Sequence, residues 1–501
     1  MSGRCSGGIV LSLPRDYKGL EDRALELAGE LSSIPSGERV LVVSHLDADG
    51  ISSGSIIAAA LIRAGASPHV RIVKQLDEGA LKEVSQVKAK YIVFTDMGSG
   101  QRDLLKGFGS EDTKLFIVDH HQLPSVELAF PQKENSSAGR LFELNPHIFG
   151  FDGSSELSAS GTAFLVAKKM SSENSSLAPL AVVGALGDMQ DKGEQGSLIG
   201  LNASIAEEAQ KRGQLTMKKG LKLYGFESRP LVKCLEYTLN PFLPGLSGDE
   251  GACFKFLKNI GIEPRKPDGS WRSISDLSPE ELRTVTNGLI KYLISQGAQG
   301  RDAESVIGVV YTINSEGADS PLRDAREYAS SINACGRLGR HGLGVALCLG
   351  DRAEALAELR ELLSEYRRTI SGYLRWLEGS KESIKIMRSV QAILAGNNID
   401  DRMIGTIVSI AFSMKPFTRS KPILGLATSE GAVKISARGT QELVRRGLNL
   451  GAAVRDASER VGGAGGGHNI AAGGQIPVGK EDEFLSIVDA IVERMIGGVR
   501  L

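Results

Sequence analysis

Four short stretches hold side chains able to bind metal ions. His45, Asp47 and Asp49 follow the apolar run Val40 to Val43, and Asp96 follows Tyr91 to Phe94. Asp119, His120 and His121 follow Leu115 to Val118. Asp188 closes the apolar stretch VVGALGDMQD, where Asp191 competes for the same role. Carboxylates drawn together need cations, because mutual repulsion and desolvation are otherwise prohibitive. Mixed carboxylate and imidazole sets suit manganese, iron or zinc better than calcium. Two such ions about 3.5–4 Å apart, sharing one carboxylate, form a clamp that cleaves phosphoesters. Each stretch alone is ordinary. A loop carboxylate often caps a helix, and Asp49 could cap one beginning at Ser52. Their joint placement behind buried strands is what points to metal chemistry.

The elements that position these residues follow from apolar patterning. Val40–Ser44, Val70–Val73, Tyr91–Thr95 and Leu115–Val118 read as buried strands, with a helix over Ser52–Arg63. Strand–helix alternation predicts a parallel sheet covered on both faces, with ligands at the carboxyl ends of its strands. The stretches 133–139 and 171–176 read as polar loops. From about Leu215 to Asp319 short helical segments alternate with polar turns, which predicts a mostly helical inserted module. One of its helices starts clearly: Ser278 caps, Pro279 takes the first turn and Glu281 completes a capping box, with Leu277 and Leu282 placed for a staple. A long helix is expected over Ala353–Leu377, where Leu356, Leu359, Leu363, Tyr366, Ile370, Tyr373 and Leu377 share one face. It would join two lobes.

Beyond Met403 the pattern is again mixed. Ile404–Phe412, Ile423–Ala427 and Ala432–Ser436 read as strands. Residues 411–460 carry nine Lys or Arg against four acids, the best candidate for a basic patch. The run Gly462 to Gly474 is read as too glycine-rich for a regular element, its backbone amides able to close around phosphate.

The 501 residues, 41% hydrophobic and 24% charged, fit a globular protein of two or three domains. The 60 glycines suit tight turns and close backbone approaches. A formal net charge of −1 restricts any nucleic-acid contact to a local patch. The first residues lack a signal-like apolar region, and no stretch has the length of a membrane span, so a cytoplasmic protein is expected. Cys5, Cys234, Cys253, Cys335 and Cys348 form no CxxC pair and read as reduced thiols.

In this order, HLDADG, the TD of TDMGSG, DHH and GALGD resemble the metal motifs of the DHH phosphoesterase superfamily. That superfamily includes RecJ exonucleases, phosphodiesterases of short oligonucleotides and cyclic dinucleotides, and family II pyrophosphatases. GGHNIAAG at 466–473 is similar to the signature of the DHH-associated C-terminal domain, and INACGRL at 332–338 resembles a RecJ-type motif. Length and insert look most like the archaeal RecJ branch, which is related to a eukaryotic replicative-helicase factor and can associate with the GINS complex.

The resemblance implies an α/β fold with a parallel-sheet DHH domain, a helical insert, a connecting helix and a smaller α/β C-terminal domain. We place these at residues 1–214, 215–330, 331–390 and 391–501. It also implies two divalent ions, manganese before magnesium. His45, Asp47 and Asp96 would hold one; Asp49, Asp96, His120 and Asp188 would hold the other. His121 would contact the scissile phosphate, with Asp119 orienting an imidazole. Asn333 and Arg337 would reach phosphate or nucleotide near the metals, and Arg438, Gly466, Gly467 and His468 the next phosphate or terminal nucleotide. Read without the resemblance, the two arginines are ion-pair residues and His468 a turn residue. The expected function is a metal-dependent exonuclease on single-stranded DNA or RNA in replication or repair. Two alternatives are a phosphodiesterase of short oligonucleotides or cyclic dinucleotides, and a replisome scaffold that binds GINS.

Overall fold

The computed structural model describes residues 14–123, 140–226, 229–238, 241–297, 300–412, 414–429 and 431–497. The polar stretch read at 133–139 and Cys5 lie outside these residues. The chain divides into two compact units. One runs to Cys234 and includes Leu257–Leu362; the other comprises Leu235–Phe256 and Leu363–Leu501.

The first unit is built on β1 (Arg39–His45), β2 (Ser67–Val73), β3 (Tyr91–Thr95), β4 (Lys114–Val118) and β5 (Leu141–Leu144). They form one parallel sheet in the order β2-β1-β3-β4-β5. With it go the helices α1 (Tyr17–Ser32), α2 (Ala48–Arg63), α3 (Glu78–Val84), α4 (Arg102–Leu105), α5 (Ala159–Met170) and α6 (Ala178–Gly187). Successive side chains of a strand point to opposite faces. Leu41, Val43, Ile92, Phe94, Leu115 and Ile117 therefore share one face, packed with Leu81, Val84 and Leu105 of α3 and α4. Val40, Val42, Val93 and Phe116 face the other way and are equally buried. Each such side chain contributes about 1.5–3 kcal/mol on burial. That two-sided burial is why these strands are continuous apolar runs. Helix α2 packs on β1, α5 and α6 and is buried nearly all round, consistent with its Ile- and Ala-rich sequence.

Helix α7 (Gly200–Lys211) leads into β6 (Leu215–Leu221). Helices α8 (Leu231–Tyr237), α9 (Glu250–Asn259), α10 (Pro279–Ser295) and α11 (Gly300–Glu304) follow, before β7 (Ile307–Ile313) pairs antiparallel with β6. The helical insert is thus framed by two strands that the sequence pattern did not reveal. The Ser278 capping box of α10 is present as expected. Helices α12 (Ala325–Arg337) and α13 (His341–Cys348) complete the unit, and α14 (Glu354–Gly379) runs on into the second. Along α14, Leu359, Leu363, Tyr366, Ile370 and Leu377 are buried, as their spacing required.

The second unit carries β8 (Ile384–Ile386), β9 (Gln391–Gly396), α15 (Ile404–Ala411), β10 (Ile423–Ser429), β11 (Ala432–Arg438), α16 (Gln441–Arg445), α17 (Leu450–Arg460), β12 (Ala464–Gly467), β13 (Ala471–Pro477) and α18 (Glu481–Gly497). Its sheet order is β12-β13-β11-β10-β9-β8. Only β9 and β10 pair in parallel. Val454, Ala457, Phe484 and Val488 of α17 and α18 pack with Val433 and Ile435.

Several sequence expectations are corrected. Ile404–Phe412, expected as a strand, is the helix α15, which packs on β10 and β11 with Gly425 of β10 making room for it. A Cβ at Gly425 would stand 2.3 Å from Val408 Cγ2. A short apolar run does not distinguish buried helix from strand by itself. The glycine run is regular after all: Gly465, Gly466 and Gly467 pair with Gly474, Gly473 and Ala472. Residues 172–177 form a 3-10 helix rather than a loop. No helix among the described residues is long and apolar enough to cross a membrane, and none of their cysteines is in a disulfide.

Candidate metal centre

The carboxyl ends of β1, β3 and β4 deliver His45, Asp96 and Asp119 to one edge of the sheet. Asp47 is the N-cap of α2: Oδ1 accepts from the Gly50 amide at 2.9 Å while Oδ2 lies 3.0 Å from His45 Nδ1. The cap is therefore Asp47, not Asp49. Asp49 points inward from the first turn of α2. Its two oxygens accept from the amides of Ala159 and Ser160 at 2.8 and 2.9 Å, at the N-terminus of α5. Helix N-termini favour such anions. Asp188 was expected after a strand; it is instead the C-cap of α6.

Donor atoms of three sets lie within 4.8 Å of one another: His45, Asp47 and Asp96; Asp96, His120 and His121; Asp49, His120 and Asp188. Asp96 belongs to two of them. Its backbone is left-handed, φ 59°, and its amide donates to Val118 O at 3.0 Å. Asp is among the few side chains that enter this region readily. Asp96 Oδ2 lies 3.5 Å from His45 Nδ1, and its Oδ1 lies 3.9 Å from His121 Nδ1.

Hydrogen bonds set both imidazoles. His120 Nδ1 donates to Gly153 O at 2.7 Å, which turns Nε2 toward the carboxylates, 3.1 Å from Asp96 and 3.8 Å from Asp49. A bare nitrogen lone pair facing carboxylate oxygens is repulsive unless a proton or a cation stands with them. His121 Nδ1 donates to Asp119 Oδ1 at 2.7 Å, and its side chain is half exposed. Asp119 is itself held by the amides of Ser99 and His120. Asn145 donates to the His121 carbonyl at 3.0 Å.

Electrostatics of the side chains alone favours protons in the array. Burial, then the Asp96 charge, push Asp49 up to about 7 from 3.8, against the pull of His120. Burial works against charging His45 and His120, yet the surrounding carboxylates raise both well above the ordinary histidine value. Burial also raises Asp188. Desolvation opposes ionisation of Asp119, but His121 beside it holds the carboxyl below its usual range. Divalent ions would replace those protons, as ligation requires deprotonated groups. The donor chemistry, the convergence and the fixed tautomer of His120 all fit such ions.

Asn333 and Arg337 lie on α12 in the first unit. Asn333 Oδ1 accepts from the Ala48 amide at 3.0 Å, tying α12 to the loop that carries Asp47. Gly336 lets the helix come this close: a Cβ there would stand 1.7 Å from Leu46 O. Arg438, Gly466, Gly467 and His468 gather in the second unit. Arg438 lies opposite Ala471 in the β11–β13 ladder, and its guanidinium donates to Ser409 and Ser436. The His468 amide donates to Ala471 O at 2.7 Å, closing the turn after Gly467, which has φ 136°.

Sequence reasoning missed Gln190. It is fully buried and donates to Asp188 at 2.7 Å and to Gly153 O at 2.8 Å, while accepting from Asn202. Its only signal was its place two residues after Asp188. The competing Asp191 is taken by Arg326 at 2.7 Å.

Three family models match the chain: the DHH family N-terminal domain over residues 39–185, the DHH-CID domain over 223–307 and the DHHA1 domain over 388–494. An uncharacterised protein of Methanocaldococcus jannaschii is 32% identical over 462 residues, covering 90% of this chain and 93% of that one. Among solved structures, manganese-bound RecJ of Thermus thermophilus is similar at TM-score 0.54 and 18% identity, over 97% of this chain and 56% of that chain. A manganese-bound exonuclease RecJ matches at TM-score 0.52 and 18% identity, over 97% of each chain. CDC45 of Entamoeba histolytica matches at TM-score 0.57 and 11% identity, over 95% and 97%.

Proposed function

This chain belongs to the DHH superfamily as a RecJ-like member, and on that premise we propose that it is a metal-dependent exonuclease on single-stranded DNA or RNA. The observation that carries the reading is the convergence of carboxylate and imidazole donors on Asp96. In this reading His45, Asp47 and Asp96 hold one divalent ion, and Asp49, Asp96, His120 and Asp188 hold a second. Manganese is the ion proposed, with magnesium as the alternative. Such ions supply Lewis-acid polarisation of the phosphoryl group and activation of water. His121, oriented by Asp119, presents its other nitrogen to the scissile phosphate and offsets the charge that develops there. Asn333 and Arg337 contact phosphate or nucleotide near the metals. Arg438, Gly466, Gly467 and His468, all on the second unit, are proposed to bind a phosphate or a terminal nucleotide. Contacts to phosphate predict weak dependence on base identity.

The test is digestion of end-labelled single-stranded DNA and RNA with manganese and with chelator, beside a duplex and a dinucleotide. Manganese-dependent shortening of single strands is expected. Intact polymers beside a cleaved dinucleotide would shift the reading to a small-substrate phosphodiesterase. No cleavage of any substrate would defeat the phosphoesterase reading.

A second reading, a replisome scaffold that binds GINS, draws on the likeness to the CDC45 fold. The full set of metal-type side chains favours catalysis. Co-purification with GINS subunits tests the scaffold role on its own.

A further inference from the structure

The loop after Asp188 is held from outside. Met189 and Gln195 both have left-handed backbones, φ 56° and 57°. Side chains other than glycine keep such conformations where their surroundings over-determine them. The surroundings here centre on Arg326 of α12. Its Nη2 donates to Asp191 Oδ2 at 2.7 Å and to Gly196 O at 2.8 Å, and its Nη1 donates to Val309 O on β7 at 2.6 Å. Lys222, just beyond β6, stands 3.7 Å from the same Asp191 oxygen. The Leu198 amide donates to Tyr311 Oη of β7 at 2.8 Å. Both ends of the loop are therefore fastened to α12 and to the strand pair that frames the insert. At the other end of the chain of contacts, Gln190 bridges Asp188 and Gly153 O, the carbonyl that also sets His120.

We infer that Arg326 is a positioning residue for the metal subsite formed by Asp49, His120 and Asp188, acting through Asp191. The inference rests on the two-metal reading above. It also gives Asp191 a role: this carboxylate meets a guanidinium and an ammonium rather than a metal. Groups that orient metal ligands typically change affinity about 10–100-fold when removed. A residue that merely fastens the insert would alter stability and leave the two ions alike.

The experiment titrates the full chain with MnCl2 by calorimetry and follows the manganese spectrum by electron paramagnetic resonance. The wild type is expected to bind two ions with a spin-coupled signal. Arg326→Met should weaken one ion about 10–100-fold, keep the other, and replace the coupled signal by that of an isolated ion. Asp191→Asn should do the same, the double variant should be no worse than either, and Arg326→Lys should restore most of the lost affinity. Should Arg326→Met fail to fold, Asp191→Asn and Arg326→Lys carry the comparison. Folded variants with wild-type stoichiometry and coupling overturn the inference, as does equal weakening of both ions. A wild type that binds no manganese overturns the two-metal reading instead.

Discussion

Nε2 of His120 lies 3.1 Å from Oδ1 of Asp96, and it is turned there by the bond from Nδ1 of the same ring to Gly153. Two acceptors are thereby aimed at one point. Asp96 is also the residue that the His45–Asp47 set shares with the paired histidines.

Asp96→Asn should therefore abolish hydrolysis while the protein still folds. Asparagine tolerates the left-handed backbone and keeps a side-chain oxygen to face His45 and His120. Calorimetry should show manganese affinity reduced for both ions. Near-normal activity of Asp96→Asn or Asp96→Ala with added manganese would contradict the two-metal assignment.

Stability without metal should fall as pH rises through neutrality. The folded pKa of Asp49 is raised to about 7, so the folded protein keeps a proton that the unfolded chain gives up near its ordinary value. Stability through this group is complete below about pH 4 and is lost as pH rises toward 7 and beyond. His45 and His120, also raised, lose theirs as pH climbs through their folded values. Manganese should reverse the trend, stabilising more at pH 8 than at pH 6. Thermal melts of wild type and Asp49→Asn in chelator across this range provide the check. Identical slopes would show that Asp49 does not titrate as described.

Asp119→Asn should lower kcat on the order of 10²-fold with little change in KM. The carboxylate holds His121 at 2.7 Å and supports its protonated form. Steady-state kinetics with a manganese titration separates this from metal loss: stoichiometry should stay as in the wild type. An unchanged kcat would remove Asp119 from the reaction.

Two glycine-to-alanine changes should act in opposite directions. Gly29, inside α1, has nothing within 4 Å of an added Cβ, so Gly29→Ala should stabilise by about 0.5–1 kcal/mol. At Gly336 the added carbon meets backbone at 1.7 Å, so Gly336→Ala must push α12 away from Leu46 and Ala48. Urea melts and manganese titration should show lower stability and weaker binding for Gly336→Ala only. A Gly336→Ala variant as stable as the wild type would mean that α12 can move without cost.

The sequence by itself determined the parallel sheet and the strand ends that carry His45, Asp96 and Asp119. Two-sided burial writes continuous apolar runs, and connection geometry sends their carboxyl ends to one edge. It also determined the start of α10, because a capping box is local chemistry. What lay across the chain was decided only by the tertiary structure. The apolar run at Ile404 is a helix laid on β10 and β11, with room made for it by a glycine on β10, and the glycine run became a ladder because β13 stands beside it. The separation of Asp188 from Asp191 likewise needed partners more than 60 residues away, namely His120 on one side and Arg326 on the other. Periodicity and local composition report which face a residue turns; they carry no record of which distant residue it meets there.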